Sequence, residues 1–161
     1  SQMTGLDSTW QICASIVTLD LSGWDVSQVP GLSITWQNCA SLVNLDLSVW
    51  DVSQVTSLSS TWYNCASLVN LDLSGWDVSQ VNGLYNTWYN CASLVNLDPA
   101  IIRTNFSLSN SVYLTINSLV AQLEALPTVT IPTTITIGSK NQSKLTEEQI
   151  KIATDKGWTV A

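Results

Sequence analysis

From residue 1 to residue 98, apolar and polar positions recur in one fixed phrase 26 residues long. Cys13, Cys39, Cys65 and Cys91 mark it, as do Trp10, Trp36, Trp62 and Trp88, and again Trp24, Trp50 and Trp76. Three full repeats run without a gap over 1–26, 27–52 and 53–78, and a fourth starts at 79 and departs after Asp98. A period kept without insertion is the pattern of stacked, equivalent coils, each too small to bury its own apolar face.

Within a coil, Ser67-Leu68-Val69-Asn70-Leu71-Asp72-Leu73-Ser74 carries an L-x-x-L-x-L pattern. Period-two alternation sends Leu71 and Leu73 inward and Asn70, Asp72 and Ser74 outward. The predicted fold class is therefore a repeat solenoid, leucine-rich-repeat-like, with one short parallel strand per coil. The return segment, Trp76 to Asn90, spaces Val78, Val81, Leu84 and Trp88 irregularly and predicts turns plus a short helix or 3₁₀ segment. Beyond residue 98 the phrase dissolves. Leu114–Leu126 reads as a helix stopped by Pro127, Thr133–Ile137 as a strand ending at Gly138, and Thr146-Glu147-Glu148-Gln149 as a capping box opening a second helix before Gly157. Trp158-Thr159-Val160 reads as a final strand, and Ile135-x-Ile137 with Asn141 and Leu145 as a loose further repeat phrase. The expected organisation is a regular array over 1–98, continuous with irregular, helix-bearing capping coils over 99–161.

Composition narrows the partners. The chain is 45% hydrophobic and only 11% charged, so Ser, Thr, Asn and Gln must build its wetted surface. Net charge is −7, and residues 1–102 hold eight Asp with no Lys or Arg. That balance argues against nucleic acid as a partner, and no apolar run is long enough for membrane insertion. Ser1-Gln2-Met3 repeats the Ser-Gln-Val of Ser27, Ser53 and Ser79, so the chain is expected to be a piece of a longer protein.

The order Leu-Asp-Leu-Ser-Gly-Trp-Asp-Val-Ser-Gln-Val, followed by an aromatic residue and Asn-Cys-Ala-Ser-Leu, resembles the BspA-like leucine-rich repeats of bacterial surface proteins over roughly residues 1–98. Where repeats of that family usually carry Met-Phe before Cys, this chain has Thr35-Trp36, Thr61-Trp62 and Thr87-Trp88, which puts larger rings in the core. The resemblance implies a secreted, cell-surface or virion-borne binding protein. The Lys-Gly-Trp ending is similar to the C-termini of bacterial and phage repeat proteins and is expected to be native.

Three columns could carry chemistry. The cysteines offer one thiol per coil and the chain has no His, so a buried column of free thiols is favoured over disulfides or a metal site. The two Trp columns read as core, although exposed Trp could stack on sugar rings. Asp20, Asp46, Asp72 and Asp98 would line the outer sheet face, with Asp25, Asp51 and Asp77 in a second column just past the strand. Stacked carboxylates raise one another's pKa unless donors or cations neutralise them. Such columns could hold Ca²⁺ or hydroxyl-rich ligands, or could simply accept backbone N–H groups in turns. Asn105-Phe-Ser and Asn141-Gln-Ser fit the glycosylation pattern only weakly.

No acid–base or nucleophile constellation emerges, which predicts a non-enzymatic protein with no required cofactor. The expectation is a binding or adhesion module for a host or cell-surface protein or glycan. Its candidate site residues are Asn44, Asn70, Asn96, Asp20, Asp46, Asp72, Asp98, Ser22, Ser48 and Ser74. The alternative is a structural stalk or a subunit that self-associates through an open N-terminal end.

Overall fold

The structure, a computed structural model, describes residues 3–161, and the Ser1-Gln2 that opens the first repeat phrase lies outside the described residues. In three successive coils the Asn-Leu-Asp phrase forms a short strand: β1 (Asn44–Asp46), β2 (Asn70–Asp72) and β3 (Asn96–Asp98). The strands pair in parallel, Asn on Asn, Leu on Leu and Asp on Asp. The first coil joins them through a parallel bridge from Thr18 to Asn44. Leu45, Leu71 and Leu97 are buried and the flanking Asn residues exposed, as strand alternation requires. The sheets are open, and these repeated short parallel strands are compatible with a repeat solenoid.

The return segments differ from the sequence expectation. They are chains of tight turns, and no helix forms ahead of residue 116 among the described residues. Each coil places two residues in the left-handed region four positions apart: Ile34 and Asn38, Ser60 and Asn64, Asn86 and Asn90, with φ between 54° and 63°. Left-handed residues at that spacing interrupt any run of right-handed turns, which is why the 3₁₀ or helical continuation fails. Asn tolerates the conformation well; Ile34, being β-branched, does not and must be held there by its neighbours. Those neighbours are adjacent coils, since Ile34 N–H donates to Ser59 O at 3.0 Å and Asn38 N–H to Tyr63 O at 2.8 Å.

Side chains finish what the backbone starts. Trp36, Trp62 and Trp88 stack ring on ring, with centroids 5.7 and 6.2 Å apart and planes within 9°. Trp50 and Trp76 form a second stack, and their indole N–H groups donate to Leu21 O and Leu47 O at 3.2 and 2.8 Å. The first Trp column has no such acceptor: the indole nitrogens of Trp36, Trp62 and Trp88 are buried without a partner, a standing cost of the packing. The Thr that precedes each of these rings is buried too. Thr61 Oγ1 donates within hydrogen-bond distance of Leu58 O (2.7 Å) and Leu32 O (2.9 Å), so one hydroxyl touches two coils.

All four cysteines are free, and Cys39, Cys65 and Cys91 are buried. Their thiols donate to Trp10 O, Trp36 O and Trp62 O of the preceding coil at 3.0, 3.0 and 3.1 Å. Burial pushes the Cys39 thiol up to about 11 and Cys91 to about 12, and raises Cys65 as well. A protonated, donating thiol is what the column needs.

After residue 98 the chain builds a second parallel sheet in the order β4 (Phe106–Ser107), β5 (Thr133–Thr136), β6 (Trp158–Val160). Between them lie α1 (Ile116–Ala125), capped by Thr115, the single-turn α2 (Ser139–Gln142) and α3 (Glu147–Thr154). The expected helices and strands thus form close to their predicted limits, and Thr146 with Gln149 makes the capping box. Gly157 takes φ 87°, and a Cβ there would stand 2.5 Å from Val129 O. The lysines staple this region. Lys144 Nζ donates to Val112 O and Leu114 O at 2.7 and 2.8 Å, and Lys156 Nζ reaches the last-turn carbonyls of α1 at Leu123 and Glu124. Asn141 is buried and bonded to Leu108 O and Ser111 O, so its glycosylation pattern is inaccessible in the fold.

Two outcomes test this packing. Trp62→Ala should lower stability by about 3–5 kcal/mol, the usual cost of deleting a buried large ring, read from the denaturant midpoint. Ellman's reagent should titrate only the half-buried Cys13 in the native protein, and all four thiols after unfolding.

Candidate functional site

The exposed side chains of β1, β2 and β3 stand in columns one residue wide. Asn70 Nδ2 donates to Asn44 Oδ1 at 2.8 Å and Asn96 Nδ2 to Asn70 Oδ1 at 2.7 Å. The amides therefore form a ladder running across the sheet, and each interior amide keeps one N–H and one lone pair for an outside partner. A second ladder of the same kind joins Asn90, Asn64 and Asn38 on the turns.

Beside the amide ladder stands the Asp column. Asp46 Oδ1 accepts from Ser48 Oγ at 2.7 Å and from Ser48 N–H at 3.0 Å, and Asp20 is held the same way by Ser22. Asp72 accepts from Ser74 N–H at 2.9 Å. The second column repeats the device: Asp25 accepts from the Ser27 hydroxyl and N–H, Asp51 from Ser53 N–H and Asp77 from Ser79 N–H. The Ser hydroxyl first, then its N–H, holds the Asp20, Asp25 and Asp46 carboxyls below the ordinary value of 3.8. Turn chemistry thus accounts for one oxygen of Asp20, Asp46 and Asp72 and of Asp25, Asp51 and Asp77, leaving the other oxygen of Asp46 and Asp72 free, while Asp98 is followed by Pro99 and Ala100 in place of that Ser.

A wall turns this face into a groove. Helix α1 crosses the C-terminal edge of the sheet, and Thr115 N–H donates to Val95 O at 3.0 Å to fix its start. Ser118 Oγ lies 2.9 Å from Leu97 N and 3.0 Å from Leu97 O, and Gln122 Nε2 donates to the same carbonyl at 2.8 Å. These side chains replace the strand that would otherwise follow β3. The resulting groove, about 630 Å³, has Asn44, Asn70, Asn96, Asp46, Asp72 and Asp98 on its floor and Thr115, Asn117, Ser118 and Ala121 on its wall.

Of the residues singled out by sequence, those six are brought together. Asp20, Ser22, Ser48 and Ser74 stand outside the groove; Ser22 and Ser48 spend their hydroxyls on the neighbouring Asp. The wall was missed. Its only sequence signal was the pair Ser118 and Gln122, polar residues four apart that share the buried face of α1 with Leu119 and Leu123. The two Trp columns are core from the second coil onward, with Trp36, Trp50, Trp62, Trp76 and Trp88 all buried, and so offer no platform to a sugar. Among the described residues no three His, Cys, Asp or Glu converge as a metal site, and no helix is long and apolar enough to cross a membrane.

Residues 4–114, the regular array from its fourth residue onward and the stretch leading to α1, match the family described as Mycoplasma protein of unknown function, DUF285. The chain belongs to this family. No curated protein and no solved structure matches it. The family match covers the residues that build the groove floor and ends just short of the helix that walls it.

The lowered carboxyls have a sign. Because their folded values lie below the unfolded ones, the stability they contribute is complete above pH 3.8 and is lost as pH falls further. Asp46→Ala should therefore be less stable than wild type near neutrality, and the gap should close at about pH 2, measured as urea midpoints at both pH values.

Proposed function

We propose that the chain is a non-enzymatic binding module that uses the walled groove on its sheet face to hold a basic segment of another protein. The observation that carries this reading is the groove itself. Three carboxylates, Asp46, Asp72 and Asp98, lie in register on its floor and no basic side chain lines it. Carboxylates at strand spacing, about 4.8 Å apart, repel one another, and a bound Lys or Arg side chain relieves that repulsion while meeting the free amide positions of the ladder. The repulsion also disfavours an acidic partner.

The repeat phrase and the open parallel strands support assignment to the leucine-rich-repeat class, kin to BspA-like surface proteins, with partners on a host or cell surface. A charge-poor surface of hydroxyls and amides, without a Lys or Arg before Arg103, suits an extracellular, cell-surface or virion location. Catalysis finds no support, since the Cys39, Cys65 and Cys91 thiols are buried donors with raised pKa values and the chain contains no His.

A second reading is a structural repeat subunit, in which a further coil of this chain or of another copy covers the first described coil. Trp10, Cys13, Ile16, Leu19 and Trp24 are only half buried there, whereas their equivalents deeper in the stack are buried. Sedimentation velocity tests cover by another copy, which a monomer at all concentrations removes.

For the groove, Asp46→Asn/Asp72→Asn is the sharper test, because an amide oxygen can still accept from Ser48 and Ser74 and keep the turns. On an array of basic and acidic peptides, wild type should retain basic peptides, weakening with salt, and the double variant should bind them at least about tenfold less. Equal binding by the double variant would remove the groove from the function.

A further inference from the structure

The array has a second opening, on the turn face. In coils two and three every turn is closed by the next coil: Leu32 and Ile34 N–H donate to Ser57 O and Ser59 O, both at 3.0 Å, and Leu58 and Ser60 N–H to Gly83 O and Tyr85 O at 2.8 and 2.9 Å. In the fourth coil the equivalent N–H groups, Leu84 and Asn86, have no acceptor among the described residues. The chain that follows has moved away to pair with β5 instead, Phe106 with Ile135 and Ser107 with Thr136. Between the fourth coil and β4 a cleft of about 550 Å³ remains. A smaller cavity of about 130 Å³, sharing Asn86 and Ser107, extends it past Tyr89.

The residues around this cleft break the repeat in one direction. Tyr85 occupies the position of Ser33 and Ser59, and its ring is 76% exposed. Tyr89, stacked on Tyr63 at 5.1 Å, is 41% exposed and stands beside the extension. The remaining walls combine the apolar Leu84 and Phe106 with amides and hydroxyls, among them Asn82, Asn86, Ser107 and Thr134, and none is charged.

We infer that this cleft is a binding site for a neutral oligosaccharide. A sugar ring has an apolar C–H face for the exposed Tyr85 ring, and hydroxyls that both donate and accept. Those hydroxyls can take the unpaired Leu84 and Asn86 N–H groups and bond to uncharged side chains on the facing wall. The cleft lies within the ordinary size range of small-ligand sites, about 300–1,000 Å³. An extended peptide fits less well. Asn86 at φ 54° turns the row of donors out of the regular spacing that strand addition requires. The site is separate from the sheet-face groove and requires no charge.

A printed array of neutral hexose and N-acetylhexosamine oligomers, probed with the full chain, tests the inference. Tyr85→Ser restores the residue that two other coils already carry at this position, so the fold tolerates it. Wild type should bind a subset of these glycans, Tyr85→Ser should bind them at least about tenfold less, and Asp46→Asn/Asp72→Asn should bind them undiminished. No neutral glycan retained by wild type, or equal retention by Tyr85→Ser, would overturn it. So would peptides being the only ligands that Tyr85→Ser loses. Loss of peptide binding in the Asp double variant with glycan binding intact would show that the two sites act independently.

Discussion

Stacking at a constant period is the constraint on which every other feature rests. Each coil donates to the next through the same backbone atoms, as Trp36 to Thr61 O and Trp62 to Thr87 O show. It also donates to the coil before through side chains, as the Thr hydroxyls and Cys thiols do. One inserted residue would shift every ring, thiol and amide out of its column at once. This explains how a chain with two strained left-handed turns per coil can hold them, and how three buried indole N–H groups can be carried without acceptors. The stacked rings and interlocked carbonyls on either side leave the turns no cheaper conformation.

The same constraint decides how polar groups behave. A column of identical side chains at strand spacing either satisfies itself or works against itself. Amides satisfy themselves, and the Asn ladders show it. Carboxylates cannot, so Asp20, Asp46 and Asp72 each take a Ser donor within their own turn, whereas Asp98 is followed by Pro99 and Ala100. The Asp-x-Ser pairs are therefore a structural requirement of repeating an acid in every coil. What they leave over, a line of half-engaged carboxylates, is the property a partner can use.

How much of this was legible in the sequence follows from what a period can encode. Strand position, inward Leu, buried Trp and free thiols were legible because each belongs to a column fixed by the repeat itself. The helices at 116–125 and 147–154 were legible from caps and Pro127, which are local signals. The turns were misread as partly helical because the spacing of Val78, Val81, Leu84 and Trp88 imitates a helix, while the left-handed residues that forbid one carry Ile, Ser and Asn alike. The groove wall was illegible for a different reason. Nothing local to Ser118 and Gln122 says that they will bond Leu97, since that contact depends on where α1 docks.

The two faces of the array meet its end in opposite ways. On the sheet face, β3 is an edge strand, and an uncovered edge would recruit another chain. Thr115, Ser118 and Gln122 cover it, and in doing so raise the wall that turns a flat ladder into a groove. On the turn face no such cover is supplied: β4 turns to β5, and Leu84 and Asn86 keep their donors. An internal coil offers neither opening, because its edges are consumed by its neighbours. In the fourth coil Tyr85 departs from the Ser33 and Ser59 of its column and stands at the uncovered edge. A stack built for uniformity is thus left with two openings of different kind, a groove along the sheet face walled by α1 and a cleft between the fourth coil and β4.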